Sequence, residues 1–268
     1  MVVPHAASSA SGTALAGPDP ASAYWRFHAA VRRAQLIAWL PSGQRTLIDV
    51  SGPRTDCATI AAAAGHRVIR VVDKPSEPAP VPAVNGKVRA GRPDGTRLLG
   101  RLAMVTGEAV SLDFLPDGRA DGVIAADRAL STHVAAEPML AEIARVLRPG
   151  GRVFACVDSL VLGMALLADQ HHWPHLVDLP KAEVVLVPWP DGAITRCYSP
   201  DLLHELFIGA GLAVDWIRPL TALSPSMVDY ALRRDPASMP DLVRAELRTD
   251  PDESHGAQLM VSARKRSR

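Results

Sequence analysis

The sequence predicts an α/β protein built on a mostly parallel sheet with helices on both faces. Residues 46–73 contain an apolar strand, a polar turn, a small-residue helix closed by Gly65 and a second apolar strand, which is the size and order of one βαβ unit. Downstream, short apolar runs alternate with amphipathic helical patterns as far as residue 263. Such alternation is typical of strands that are joined by crossover helices.

The first unit places a turn at the carboxyl end of its first strand. Thr46–Val50 is an aliphatic, β-branched run that suits a buried parallel strand, and a helix over residues 56–64 leads to a second strand at residues 67–72. Both strand ends and the turn therefore share one edge of the sheet, where helix amides point at a ligand. A dinucleotide site would need G-x-G-x-x-G, whereas this turn has Gly52 alone.

The unit resembles the first motif of class I S-adenosylmethionine-dependent methyltransferases, a family with a Rossmann-like fold, and the resemblance covers residues 25–265. Further family-like patterns are D-x-V at 121–123, L-R-P-G-G at 147–151, and S-P-x-x-L-x-x-L at 199–206. The resemblance implies a seven-stranded, mostly parallel sheet whose last strand is antiparallel. It also implies S-adenosylmethionine as the cofactor.

The turn departs from the family pattern. Class I members usually read D-x-G-x-G-x-G, whereas residues 49–55 read DVSGPRT, with Ser51, Pro53 and Thr55 in the glycine positions. A one-residue deletion would instead align Gly52 with the glycine of a G-P pair that is frequent in the family. Either alignment puts side chains where the cofactor normally lies close to the backbone. Two interpretations stay open, a working cofactor pocket and an altered one.

By the same resemblance, cofactor contacts come from several strand ends. An acid after the second strand holds the ribose hydroxyls; here the usual position is Val72, and Asp73 follows one residue late. The turn after the third strand faces the adenine, although Glu108 there could equally be a solvated carboxylate. The predicted cofactor-binding residues are Asp49, Ser51, Gly52, Pro53, Asp73, Glu108, Ala109 and Ala126.

Methyl transfer to a hydroxyl is helped by a base, and histidine is well matched to this role near neutral pH. The candidate catalytic residues are His133, just past the fourth strand, and His172 on a later loop, with Asp127 and Asp158 as orienting or ligand-binding groups. Surface or packing roles are the alternative for each, and for an amine acceptor the alternative is that no dedicated base is needed. Three histidines at residues 171–175 lack flanking cysteines or acids at ligand spacing, so we expect no metal site.

The remaining segments predict a single domain over residues 21–268. Residues 1–20 are rich in Ala, Ser, Gly and Pro without a signal-peptide pattern, and we expect a disordered tail. A helix that begins near residue 22 either lines the pocket or packs on the sheet, and its candidates for the pocket are Tyr24, Trp25 and His28. Residues 221–255 form an insertion with two helices, which could serve as a substrate lid or a dimer contact.

Composition narrows the class of function. The 268 residues carry a net charge of +1, which argues against a broad surface for nucleic acid or anionic membrane. No apolar run reaches membrane-spanning length, and three scattered cysteines are typical of a cytosolic protein. We expect a cytoplasmic methyltransferase for a small-molecule acceptor, with a homodimer among the assemblies that the insertion allows. The alternative is a non-catalytic, methyltransferase-like binding or regulatory module.

Overall fold

A computed structural model describes residues 23–52, 55–72, 86–91, 97–176, 182–189, 191–249 and 256–267. The predicted N-terminal tail, Pro53 and Asp73 lie outside these residues. Within them the helices are α1 (Ala23–Trp39), α2 (Cys57–Ala63), α3 (Glu137–Val146), α4 (Leu160–Asp169), α5 (Trp173–Leu176), α6 (Pro200–Gly209), α7 (Pro225–Arg234) and α8 (Met239–Glu246). The strands are β1 (Thr46–Asp49), β2 (Arg67–Val72), β3 (Gly86–Gly91), β4 (Arg97–Thr106), β5 (Ala120–Ala125), β6 (Leu147–Ser159), β7 (Val184–Pro188), β8 (Ile194–Tyr198), β9 (Leu212–Pro219) and β10 (Gln258–Lys265).

All of these strands join one sheet, in the order β3-β4-β2-β1-β5-β6-β10-β9, while β8 pairs with the end of β6 and β7 pairs with β8. The central strands are parallel, and β10 runs antiparallel between β6 and β9. The α/β class and the reversed last strand are therefore confirmed. The expected count of seven strands is wrong, because the antiparallel pairings of β3 with β4 and of β7 with β8 bring the described sheet to ten.

Helices cover both faces of the sheet and divide the core into two main layers. One layer holds the apolar sides of α3 and α6, including Met139 and Phe207, against β1, β5 and β6. The other holds α1, α2 and α7, including Phe27 and Val228, against the opposite face. Burying both faces explains why the central strands are nearly continuous apolar runs.

The insertion packs on α1. Glu246 of α8 is buried, and its carboxylate accepts hydrogen bonds from two amides in the loop before α7, those of Ala222 at 2.6 Å and Leu223 at 3.0 Å. From α1, the amide of Tyr24 donates to Asp229 in α7 at 3.2 Å. The two expected insertion helices are thus present, and they hold α1 in place beside the carboxyl ends of the strands. None of the described helices is long and apolar enough to cross a membrane.

Candidate active site at the carboxyl ends of the strands

The turn after β1 is tied to the end of β5 by a serine. Asp49 is fully buried, and its Oδ1 accepts a hydrogen bond from the amide of Ser51 at 3.0 Å. The hydroxyl of Ser51 accepts from the amide of Ala126 at 2.9 Å and lies 3.4 Å from the carbonyl oxygen of Ile124, to which it donates. Ser51 therefore uses its side chain to join two strand ends, a contact that a glycine in this position could not make.

An arginine from β2 closes the same turn from the other side. The Nη2 atom of Arg70 donates to the carbonyl oxygens of Gly52 at 2.6 Å and Thr55 at 3.2 Å. Gly52 itself has φ +80°, a conformation that favours glycine, so the single glycine stands where the turn needs one. Arg70 is also the register partner of Asp49, which brings a cation beside the buried carboxylate.

Three polar atoms of this turn region are buried and have no hydrogen-bond partner among the described residues: Asp49 Oδ2, Thr55 Oγ1 and Arg70 Nε. A buried unsatisfied polar atom costs about 1–3 kcal/mol, so such atoms mark places where a ligand or water can complete the bonding. Burial raises the pKa of Asp49 above its ordinary value. An ammonium group next to Asp49 would favour the carboxylate, so this acid fits the amino group of an amino-acid ligand.

In the predicted adenine turn, one residue is exposed and the next is buried. After β4, Glu108 is exposed and Ala109 is buried, and the carbonyl oxygen of Glu108 accepts from the amide of Ser111 at 3.1 Å. The Glu108 carboxylate thus stands at the same sheet edge as the first turn, free of burial. The other two predicted contacts, Pro53 and Asp73, lie outside the described residues, so they stay predictions.

A second polar group lies just beyond β5. Asp127 and Arg128 are consecutive non-glycine residues with φ of 59° and 66°, an unfavourable conformation that costs about 1–3 kcal/mol for each residue and is often found at functional sites. The Nε atom of Arg128 donates to Asp158 at the end of β6 at 2.7 Å, and Nη2 donates to Thr195 in β8 at 3.3 Å. Asp127 pairs with Arg32 of α1 at 3.7 Å.

Asp158 connects this group to α1. The side chain of Asp158 is fully buried, and its Oδ1 accepts from Gln258 Nε2 at 3.1 Å. The other end of the same amide, Gln258 Oε1, lies 3.1 Å from His28 Nε2. Because Oε1 can only accept, His28 Nε2 carries the proton and Nδ1 is left with the lone pair. Four side chains, from the turn after β5 and from β6, β10 and α1, therefore form one hydrogen-bonded chain.

His28 is held in its neutral form. Burial, together with Arg32, lowers the pKa of His28 to about 4 from an ordinary value of 6.5. The unfolded chain therefore takes up a proton near pH 6.5, whereas the folded chain does so only near pH 4. Stability that is present above pH 6.5 is lost as the pH falls through this window, by about 3 kcal/mol in total.

We therefore expect His28→Gln to flatten the pH dependence of the free energy of unfolding between about pH 6.5 and pH 4. Urea unfolding of the wild type and the variant across this range measures it. His204→Gln serves as the control, because His204 is exposed on α6. If the free energy of unfolding of the wild type changes with pH in parallel with that of His28→Gln throughout this range, the lowered pKa of His28 would be contradicted.

The two candidate bases, His133 and His172, lie in different parts of the structure. His133 lies just past the β5 turn and donates from Nδ1 to the carbonyl oxygen of Ala129 at 2.8 Å, which leaves Nε2 to accept a proton. His172 is exposed beyond the far end of α4, a helix of ten residues that starts after Ser159. That helix spans about 15 Å. The fold thus brings His133, Asp127 and Asp158 to one edge and leaves His172 away from it.

The thiols do not add a nucleophile to this site. Cys57, Cys156 and Cys197 are buried and unpaired with one another, and burial raises the pKa of each to about 12. A thiol with so high a pKa stays protonated near neutral pH. Among the residues that the structure describes, no group of three or more histidines, cysteines or acids is placed to hold a metal ion.

A comparison of the sequence with protein-family models agrees with the fold. Residues 56–155 match the family model described as "Methyltransferase domain". This segment begins just before α2 and ends within β6, so it includes the carboxyl ends of β2, β4 and β5. Residues 56–155 thus match a methyltransferase domain, and the chain has the class I, Rossmann-like methyltransferase fold, so the resemblance drawn from the sequence is confirmed. No curated protein matches the sequence significantly.

Solved structures with the same fold are distant in sequence. One is the 1,6-didemethyltoxoflavin-N1-methyltransferase of Burkholderia thailandensis with bound 1,6-didemethyltoxoflavin and S-adenosylhomocysteine (TM-score 0.54, 19% identity, 91% of this chain and 81% of that one). Another is an S-adenosylmethionine-dependent methyltransferase from Mesorhizobium loti (TM-score 0.53, 14% identity, 89% of this chain and 100% of that one). A third is the [4+2]-cyclase SpnF (TM-score 0.51, 18% identity, 89% of this chain and 82% of that one). At these identities the likeness shows the fold alone.

Proposed function

We propose that this protein is an S-adenosylmethionine-dependent methyltransferase that acts on a small-molecule acceptor in the cytoplasm. The observation that carries the proposal is the buried Asp49 carboxylate, whose Oδ2 has no partner among the described residues, at the turn after β1. It stands at the sheet edge where ligands bind in open α/β folds, within a chain that matches a methyltransferase family model. The near-neutral charge favours a small molecule over nucleic acid or a membrane surface.

In this proposal Asp49 holds the amino group of the cofactor, the Ser51–Gly52 backbone supports its methionine part, and Glu108 and Ala109 border the adenine. When bound, the cofactor supplies an electrophilic methyl group on a sulfonium. The chain's main contribution is to align the acceptor with that methyl group, since orientation alone supplies several kcal/mol. For a hydroxyl acceptor, His133 Nε2 is placed to receive the proton, because its Nδ1 is already engaged with Ala129.

The cofactor assignment predicts a specific loss on Asp49→Asn. This change keeps an oxygen for the Ser51 amide but removes the charge that an ammonium group needs. We expect S-adenosylmethionine to bind the wild type with a Kd in the micromolar range, and the variant to bind at least about tenfold more weakly. Isothermal titration calorimetry measures both.

The matched control is Asp201→Asn, which removes an exposed acid from the first turn of α6. It should bind the cofactor as the wild type does. Equal affinity in Asp49→Asn would exclude Asp49 as the contact of the amino group, and it would remove the observation on which the proposal depends.

A second candidate function is a non-catalytic binding or regulatory module. The contacts that favour it are those of Ser51 and Arg70, whose side chains fill hydrogen-bonding positions around the turn that a ligand could otherwise use. Fold alone does not decide between the two, because one architecture supports several activities. A titration with S-adenosylmethionine that gives neither heat nor a thermal shift would favour the module.

A further inference from the structure

The guanidinium of Arg128 is held by the protein along one edge and left open along the other. Its Nε and Nη2 atoms, which form the side edge, donate to Asp158 at 2.7 Å and Thr195 at 3.3 Å. Its Nη1 atom has no partner among the described residues. The side chain remains 34% exposed, whereas that of Asp158 is fully buried. The end edge, formed by Nη1 and the second Nη2 hydrogen, therefore faces away from the protein's own acceptors.

The groups around Arg128 fix its orientation. Asp158 is anchored by Gln258 at 3.1 Å, and its backbone amide donates to Ser131 Oγ at 2.8 Å. Thr195 in turn accepts from the indole nitrogen of Trp189 at 2.9 Å. A guanidinium that is fixed from three strands loses little side-chain entropy when it binds a ligand, which is the condition for selective recognition.

Arg128 also lies beside the predicted cofactor turn. It follows Ala126 by two residues, and the amide of Ala126 is bound to Ser51 in that turn. Two residues span at most about 7 Å between Cα atoms, so the backbone of Arg128 lies close to the residue that is bound to the turn. The neighbouring charge of Asp127 is balanced by Arg32 at 3.7 Å.

From this geometry we propose that Arg128 is a specificity-determining residue that binds an anionic oxygen of the methyl acceptor through its end edge. The acceptor class is a small molecule with a carboxylate or an ionised enol or phenol. Planar guanidinium edges bind such oxygens with two parallel hydrogen bonds, which a lysine cannot reproduce. The inference rests on the proposed function, because it takes this edge of the sheet to be the acceptor site.

The test compares aromatic carboxylates with their own carboxamides as probes. Calorimetric titration of the wild type, in the absence and presence of S-adenosylhomocysteine, gives the affinity of each pair. We expect carboxylates to bind about tenfold or more tightly than the matched carboxamides. In Arg128→Lys, which keeps a cation beside Asp158, that preference should fall below about threefold.

Arg148→Lys is the control, because Arg148 also pairs with an acid, Asp121 at 2.7 Å, but lies at the opposite edge of the sheet. It should keep the full carboxylate preference. A wild type without any preference, or a preference that survives in Arg128→Lys, would overturn the inference. Cofactor binding without carboxylate preference would reject this inference alone. Carboxylate preference without cofactor binding would reject the proposed function and leave Arg128 as an anion-binding residue.

Discussion

Gly100→Ala is expected to destabilise the protein by about 3 kcal/mol or more. Gly100 lies in β4 where the C-terminal turn of α2 crosses it. A Cβ atom there would overlap the backbone carbonyl of Ala62 and come within 2.9 Å of the carbonyl oxygen of His66. Because these are backbone atoms of a helix end and its following turn, no side-chain rotation relieves the overlap.

Chemical denaturation of the purified variant measures the loss, and a failure to obtain folded protein agrees with it. Gly209→Ala is the matched control, because a Cβ at this helical position in α6 meets nothing within 4 Å. It should be neutral or stabilise the fold by up to about 1 kcal/mol. A Gly100→Ala protein as stable as Gly209→Ala would show that α2 does not approach β4 in this way.

Arg128→Met is expected to destabilise the protein by about 3 kcal/mol, because it leaves Asp158 fully buried without its cation. The loss should shrink as the pH falls. Burial already raises the pKa of Asp158, so without Arg128 the folded protein binds a proton at this carboxyl more readily than the unfolded chain does. Stability of the variant relative to the wild type therefore rises as the pH falls toward the ordinary carboxyl pKa.

Two further variants separate charge from packing in this pair. Arg128→Met combined with Asp158→Leu removes both charges and should recover most of the stability. Arg148→Met breaks an ion pair whose arginine side chain is 49% exposed and should cost no more than about 1 kcal/mol. Equal losses in Arg128→Met and Arg148→Met would contradict a special role for the buried pair. Urea unfolding at several pH values provides these data.

Most of the architecture could be predicted from the sequence, because its signals are local. The β1–α2–β2 unit appears as two aliphatic runs around a small-residue helix, and α6 appears as a serine cap, a proline and an apolar stripe. Ser199 does cap α6, accepting from the amide of Leu202 at 3.0 Å. The strand count was less predictable, since β3 is an edge addition whose pairing with β4 depends on the tertiary context.

The polar chemistry of the site could be predicted only in part. Asp49, His133 and Asp158 stand at strand ends, a position that the order of elements defines. Gln258 gave no such signal, because it reaches Asp158 across 100 residues when β10 inserts beside β6. The role of Arg70 was equally hidden, since a basic residue within an apolar strand does not reveal that it will close a turn 18 residues earlier.

In the proposed function, the glycine-poor turn after β1 still accepts an adenosyl sulfonium ligand. A crystal structure of the protein grown with S-adenosylhomocysteine tests it most directly. We expect nucleoside density outside the carboxyl ends of β1 and β2, with the ligand's amino group within hydrogen-bond distance of Asp49 Oδ2. A turn region filled by the protein's own side chains, with no density for the ligand at saturating concentration, would contradict it.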